Sequence, residues 1–246
     1  MKNRAMDKTK LNSTLIEIRE KLLQNVSTST LSGAAFCKTG PGSYAEHDKF
    51  MGINVPTVRL IAKDFINLDH ASLSQLIASE FNEERLLALF ILIHQYNKAK
   101  NLKQAIIYNF YMDNLRHINN WNLVDSSAHL ILGAHTHNAD KTMLITLSKS
   151  TTMWERRIAI VATWYFIRKN NLEWTFKISE MLLGDSHDLI HKAVGWMLRE
   201  AGKKNLAQLI TFLDQHATKM PRTMLRYAIE KFPEPERKKY LKHTLA

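Results

Sequence analysis

Apolar positions recur at helical intervals along most of the chain: Leu73, Leu76 and Ile77, then Leu86, Leu89, Phe90 and Ile93, then Ile178, Met181 and Leu182. That spacing lines one face of a helix, and no segment sustains the period-two alternation of a half-buried strand. The five prolines stand only outside this stretch, at Pro41 and Pro56 before it and at Pro221, Pro233 and Pro235 after it. Between Asp64 and Glu200 the chain therefore reads as helix after helix, and the predicted fold class is all-α. Upstream, Leu15, Ile18 and Leu22 predict one amphipathic helix. The segment SGAAFCKTGPGSYAEHDKFMGINVP that follows reads as a long loop ending at Pro56, and loops of that length in compact domains are more often functional than idle.

Five segments look alike: NEERLLALFIL, NWNLVDSSAHLIL, WERRIAIVATWYF, LIHKAVGWMLRE and RTMLRYAIEKF. Aligned on Ala88, Ala128, Ala159, Ala193 and Ala228 they are 40, 31, 34 and 35 residues apart. This spacing predicts helical-hairpin repeats stacked into a curved solenoid, a single domain over residues 1–246 with about the first ten residues flexible. In such an array one helix of each repeat lines a concave face, so equivalent positions converge on one groove. Thr152 with Glu155 three residues later fits a capping box, and Asn120 is a reasonable cap for the segment it opens. On that register Asp125 and Arg157 match on adjacent helices, whereas the alanine alignment pairs Asp125 with Arg156. One residue is about 100° of helix, so this reasoning leaves both arginines open.

Charge narrows the partner. Lys and Arg number 34 against 23 Asp and Glu, a net charge of +11, which attracts a polyanion through release of its condensed counterions and makes nucleic acid the first suspect. The alternative is a merely solubilising surface. No apolar run approaches the roughly 20 residues that cross a bilayer, and the N-terminus lacks the apolar centre of a secretory signal, so a soluble cytoplasmic protein is expected. The single cysteine, Cys37, has no thiol partner for a disulfide or a zinc site and is expected to be inert. Neither His129, His135 and His137 nor the Gly40-Pro41-Gly42 loop matches a metal-ligand or phosphate-loop spacing, so no metal is expected.

Trp121 and Asp125 are an i,i+4 pair and share one helix face. Taken alone, such a pair reads as a core anchor beside a solvated acid. Trp196 in a later repeat and Arg156–Arg157 between them in chain order change that reading, because one groove would then hold two indoles, a carboxylate and a guanidinium.

The stretches FMGINVPTVRLIAK, EERLLALFIL, NWNLVDSSA, MWERRIAIVAT and DLIHKAVGWMLREAGK resemble the AlkD-like family of DNA alkylation-repair glycosylases, over roughly Tyr44 to Phe232. The resemblance implies a compact array of HEAT-like repeats that holds duplex DNA in a basic groove. It also implies cleavage of the N-glycosidic bond of cationic alkylpurines such as 3-methyladenine and 7-methylguanine. By family position Trp121, Asp125, Arg157 and Trp196 surround the lesion nucleotide, and the Ile-Ala stretch that follows favours Arg157 over Arg156. Asp125 is implied to stabilise the developing cationic sugar and orient a water, the two tryptophans to favour a cationic lesion, and Arg157 to hold the adjacent phosphate. Tyr44, Arg199, Lys203 and Arg226 are further DNA-contact candidates, with Lys204 and Arg222 beside them. Family members need not extrude the base, and they use neither metal nor organic cofactor; a monomer is the default.

One departure matters: Asp188 and Leu189 stand where some members carry aromatics. Related branches of the family lack the acid and bind DNA with little excision, whereas Asp125 is present here, which favours activity. The competing expectation is a non-catalytic helical-repeat module that binds nucleic acid or a protein partner.

Overall fold

The computed structural model describes residues 2–26 and 37–242, the side chains of residues 2–12 excepted. Residues Ser32 to Phe36 of the expected loop, and the side chains of the start expected to be flexible, lie outside the described residues. The chain is all-α, a helical-repeat fold, and among the described residues the strand-like pairing is a single isolated bridge between Lys49 and Phe81. It divides into two compact units, Met1–Leu123 and Val124–Ala246.

The first unit contains α1 (Lys2–Leu23), α2 (Val55–Ala62), α3 (His70–Ile77), α4 (Asn82–Lys98) and α5 (Leu102–Asp113). Leu15, Ile18 and Leu22 of α1 are buried as their spacing requires, and α1 packs on α2 and α3. Both of those pack on α4, which is buried on nearly every side and then meets α5. Local chemistry fixes the starts. The Asn54 side chain accepts from the Thr57 N–H at 2.9 Å with Pro56 in the first turn, and Asp69 accepts from Ser72 at 2.8 Å. α4 has no side-chain cap; the Asn82 N–H instead donates to the Lys49 carbonyl at 2.8 Å across the bridge.

Helix α6 (Trp121–Ser127) contains the boundary between the units. A π-helical turn, His129–Gly133, follows it and runs on into Ala134–Thr136. The rest of the second unit is α7 (Thr142–Ser148), α8 (Met153–Arg168), α9 (Glu173–Met181), α10 (Asp188–Lys204), α11 (Leu206–His216), α12 (Arg222–Ala228) and α13 (Glu234–Lys242). Here α8 packs against the π turn, α7, α9 and α10, and α10 packs against α11 and α12.

All five aligned alanines are buried, so the alignment picked out the packed face of each repeat. Two glycines allow the closest crossings: a Cβ at Gly133 would overlap the Ala162 carbonyl oxygen, and one at Gly195 would overlap that of Met224. The expected capping box at Thr152 does not form, because Thr152 occupies the N-cap with no side-chain bond to the helix.

Candidate functional site

In the first unit, the start of α6 is set by a buried polar network. Asp48, whose side chain is fully buried, accepts from Asn82 Nδ2 (2.9 Å), Asn120 Nδ2 (2.6 Å) and the Arg85 guanidinium. Asn82 and Asn122 exchange amide hydrogen bonds at 3.3 and 2.6 Å. Trp121 thus sits between two asparagines, both tied to one buried carboxylate and its partner amide. Asn120 spends its side-chain amide on Asp48, and its carbonyl accepts the Leu123 N–H at 3.2 Å. Cys37 packs against Asn120, and burial pushes its thiol pKa up, in keeping with an unreactive sulfur. Next to this network, Glu83 accepts three backbone N–H groups, from Met51, Gly52 and Ile53, at 2.9 to 3.3 Å. Glu84 receives a two-point contact from Arg19, at 2.9 and 3.3 Å.

In the second unit, Asp125 and Arg157 form a two-point ion pair. Nε donates to Oδ1 at 2.9 Å and Nη2 to Oδ2 at 2.8 Å, while Nη1 donates to the Leu189 carbonyl. Arg156 turns elsewhere, to Asp185 at 2.6 Å and to the Ser150 and Thr151 carbonyls. Of the two arginines left open by local register, Arg157 faces Asp125. The pair is asymmetric: the Asp125 side chain is 19% exposed and that of Arg157 6%. Asp125 is thus the more exposed partner of the pair. A carboxylate offers about four lone-pair positions and Arg157 takes two, so acceptor capacity remains. Arg157, expected at the adjacent phosphate, has its donors on Asp125 and the Leu189 carbonyl.

One turn beyond Asp125, His129 lies in the π-helical turn, 5% exposed, with Nδ1 unpartnered. Burial first, and then the nearby Arg168 charge, push its pKa down to about 4, against a hydrogen bond to the Asp125 backbone that raises it. The His129 ring lies 4.5 Å from Trp164, and Trp164 meets Trp196 edge-on at 5.0 Å. Trp196, expected beside the lesion, is thus half-buried against Trp164, with Arg168 over that ring at 4.7 Å.

The remaining DNA-contact candidates differ in availability. Arg199 is largely covered and paired with Glu230 and, at 3.5 Å, Glu200. Lys203 is exposed but meets Glu200 at 2.6 Å, and Arg226 is exposed. Tyr44 is half-buried and its hydroxyl accepts the Lys38 N–H at 3.2 Å, a contact within the loop. Arg222 reaches the Leu241 carbonyl at 3.2 Å. Asp188 pairs with Lys192, and Leu189 supplies the carbonyl that holds Arg157.

Sequence reasoning did not single out Asp48, Glu83, Glu84 and Arg85 as buried charges, or the π turn that follows Asp125. The run Asn-Glu-Glu-Arg at the start of α4 carried the signal, since three charged residues there interrupt an otherwise apolar repeat. Among the described residues no group of three or more His, Cys, Asp or Glu is arranged to hold a metal ion, and no helix is long and apolar enough to cross a membrane.

A family model described as "DNA alkylation repair enzyme" matches residues 18–232. Among solved structures the chain is similar to a "Predicted DNA alkylation repair enzyme from Enterococcus faecalis", with a TM-score of 0.62 and 16% identity over 85% of this chain and 100% of that one. At that identity the likeness speaks for the fold. Among curated proteins there is no match.

Proposed function

The chain belongs to the family of DNA alkylation repair enzymes, and from that premise we propose that it is a DNA glycosylase of base excision repair, releasing cationic N3- and N7-alkylated purines from duplex DNA. The observation that supports this reading best is Asp125, held at two points by Arg157 and the more exposed partner of that pair.

An alkylated purine with a positive ring already has the electronic demand of a leaving group. When the C1′–N bond breaks, its electron pair neutralises the ring and the base departs without a proton from the protein. The sugar is left as an oxocarbenium-like cation, which an anion fixed nearby stabilises. Water then bonds to C1′, and its proton passes to the carboxylate or to solvent. In this account Asp125 supplies the anion and Arg157 positions it. Trp121 and Trp196 offer indole faces to the cationic nucleotide, each worth about 0.5 to 2 kcal/mol. Arg199, Lys203, Arg226 and Tyr44 are proposed as backbone contacts, which for Arg199 and Lys203 requires exchange of an intramolecular acid for a phosphate.

A second reading rests on the same pair. A carboxylate already neutralised by arginine also suits a purely structural ion pair in a nucleic-acid-binding module. Incubation with duplex DNA treated with a methylating agent, followed by quantification of free 7-methylguanine and 3-methyladenine, separates the two. The glycosylase reading predicts time-dependent release, and a chain that binds the duplex but releases no base is the module.

A further inference from the structure

Away from Asp125, four cations of the second unit rest on aromatic rings near the end of α8 and the start of α9. The Arg168 guanidinium lies 4.7 Å from the Trp164 centroid and Lys169 Nζ 5.7 Å from that of Tyr165. Trp174 carries two, Lys177 at 4.4 Å and Lys141 at 5.8 Å. Arg168, Lys169 and Lys177 are exposed, and Lys141 and the three rings are half-buried. Among the described residues, none of these four cations forms an ion pair. Asp140, next to Lys141, accepts instead from the Thr142 N–H and hydroxyl at 3.2 and 2.9 Å. His137 meets Tyr165 edge-on at 5.6 Å and Lys141 lies four residues on, so a short segment links the Tyr165 and Trp174 ends of the strip. Beside the α8–α9 turn, a polar hollow of about 630 Å³ is lined by Asn170, Asn171, Glu173, Lys204, Asn205 and Gln208.

We propose that the part of this strip formed by Lys141, Tyr165, Lys169, Trp174 and Lys177 binds single-stranded nucleic acid. Cations outside ion pairs, of which Lys141 also donates to the Ala139 carbonyl at 2.9 Å, would by themselves serve a duplex equally well. The rings distinguish the two, because only a strand with unpaired bases has base faces to stack. The lysines now over Trp174 do not block this. An exposed cation–π contact is worth about a two- to five-fold change in a binding constant, whereas a stacked base is worth about five- to more than a hundred-fold. A base therefore displaces Lys177 from the ring face, and the freed ammonium remains within reach of the adjoining phosphate. The amides lining the hollow are suited to the edges of a neighbouring base.

The test uses the full chain and a labelled oligothymidylate of about 15 nucleotides, near the upper site size of single-strand modules. Anisotropy is predicted to show binding that Trp174→Ala weakens by about tenfold and Trp174→Phe largely retains. The double variant Lys141→Ala/Lys177→Ala is predicted to lose about 1.4 from the magnitude of the log–log salt slope, at roughly 0.7 per single-strand phosphate contact. Part of the oligonucleotide-induced tryptophan quenching is predicted to vanish in Trp174→Phe. Circular dichroism of each variant separates lost binding from lost fold. Binding that Trp174→Ala leaves intact, no binding of the single strand, or binding of a matched duplex alone would each overturn the proposal. It does not rest on the glycosylase reading. A chain that releases no base yet holds the single strand through Trp174 refutes that reading and supports this one.

Discussion

Replacing Asp48 by alanine tests whether the buried network beneath α6 stabilises the fold through charge satisfaction. The carboxylate is fully buried and receives Asn82, Asn120 and the Arg85 guanidinium. Without it, Arg85 is left with the Ser79 carbonyl at 3.0 Å as its remaining acceptor, and its side chain is 4% exposed. Removing one partner of a buried ion pair costs about 3 to 5 kcal/mol, because the other charge stays out of water. The two asparagine contacts add roughly 0.5 to 1.5 kcal/mol each. For a chain of this size each kcal/mol moves the melting temperature by about 2 to 4 °C, so a fall of about 8 to 32 °C is predicted. The sign of a second substitution is more telling. Arg85→Met in the Asp48→Ala background removes the stranded charge and is predicted to recover part of the loss, whereas Arg85→Met alone is destabilising. Urea denaturation of the four proteins measures both effects. An Asp48→Ala variant within about 1 kcal/mol of wild type, or a double variant less stable than Asp48→Ala, would refute the reasoning.

Arg157→Lys keeps the charge but cannot span both Asp125 oxygens and the Leu189 carbonyl, so single-turnover base release is predicted to slow by about 10- to 100-fold with duplex affinity little changed; an unchanged rate removes the positioning role. His129, with its folded pKa near 4 against about 6.5 unfolded, contributes stability that is full above about pH 6.5 and is lost as pH falls toward 4, at most roughly 3 kcal/mol. Denaturation of His129→Gln across that range should show a correspondingly flatter dependence. Gly133→Ala and Gly195→Ala each force apart a close helix crossing and are predicted to cost about 1 to 3 kcal/mol by thermal denaturation. If the base need not be extruded, duplexes with bulky N7 adducts will be processed along with methylated ones, and release of methylated bases alone would contradict that.

Helix class and packed faces were legible because burial follows period: Leu15, Ile18 and Leu22, and the five aligned alanines, are all inside. The Asp125–Arg157 pair was half legible. Local register left Arg156 and Arg157 open, the family resemblance favoured Arg157, and the long-range placement of Asp185 and Leu189 separates them in the structure. What the sequence concealed is chiefly polar burial. Charges such as Asp48, Glu83 and Arg85 default to the surface by composition, and their satisfaction depends on partners 30 or more residues away. Thr152 shows the converse: its local pattern was right for a capping box, yet no side-chain bond forms. The π turn at His129–Gly133 has no distinct signature in apolar spacing, and neither does the burial of Arg157 against Asp125.

The most direct measurement compares wild type and Asp125→Asn on a duplex containing 7-methylguanine, with release followed under single-turnover conditions and affinity by anisotropy. The account predicts that the amide, which loses the negative charge, binds DNA nearly as tightly but releases base at least about a hundred-fold more slowly. Equal release rates at equal affinity would contradict it.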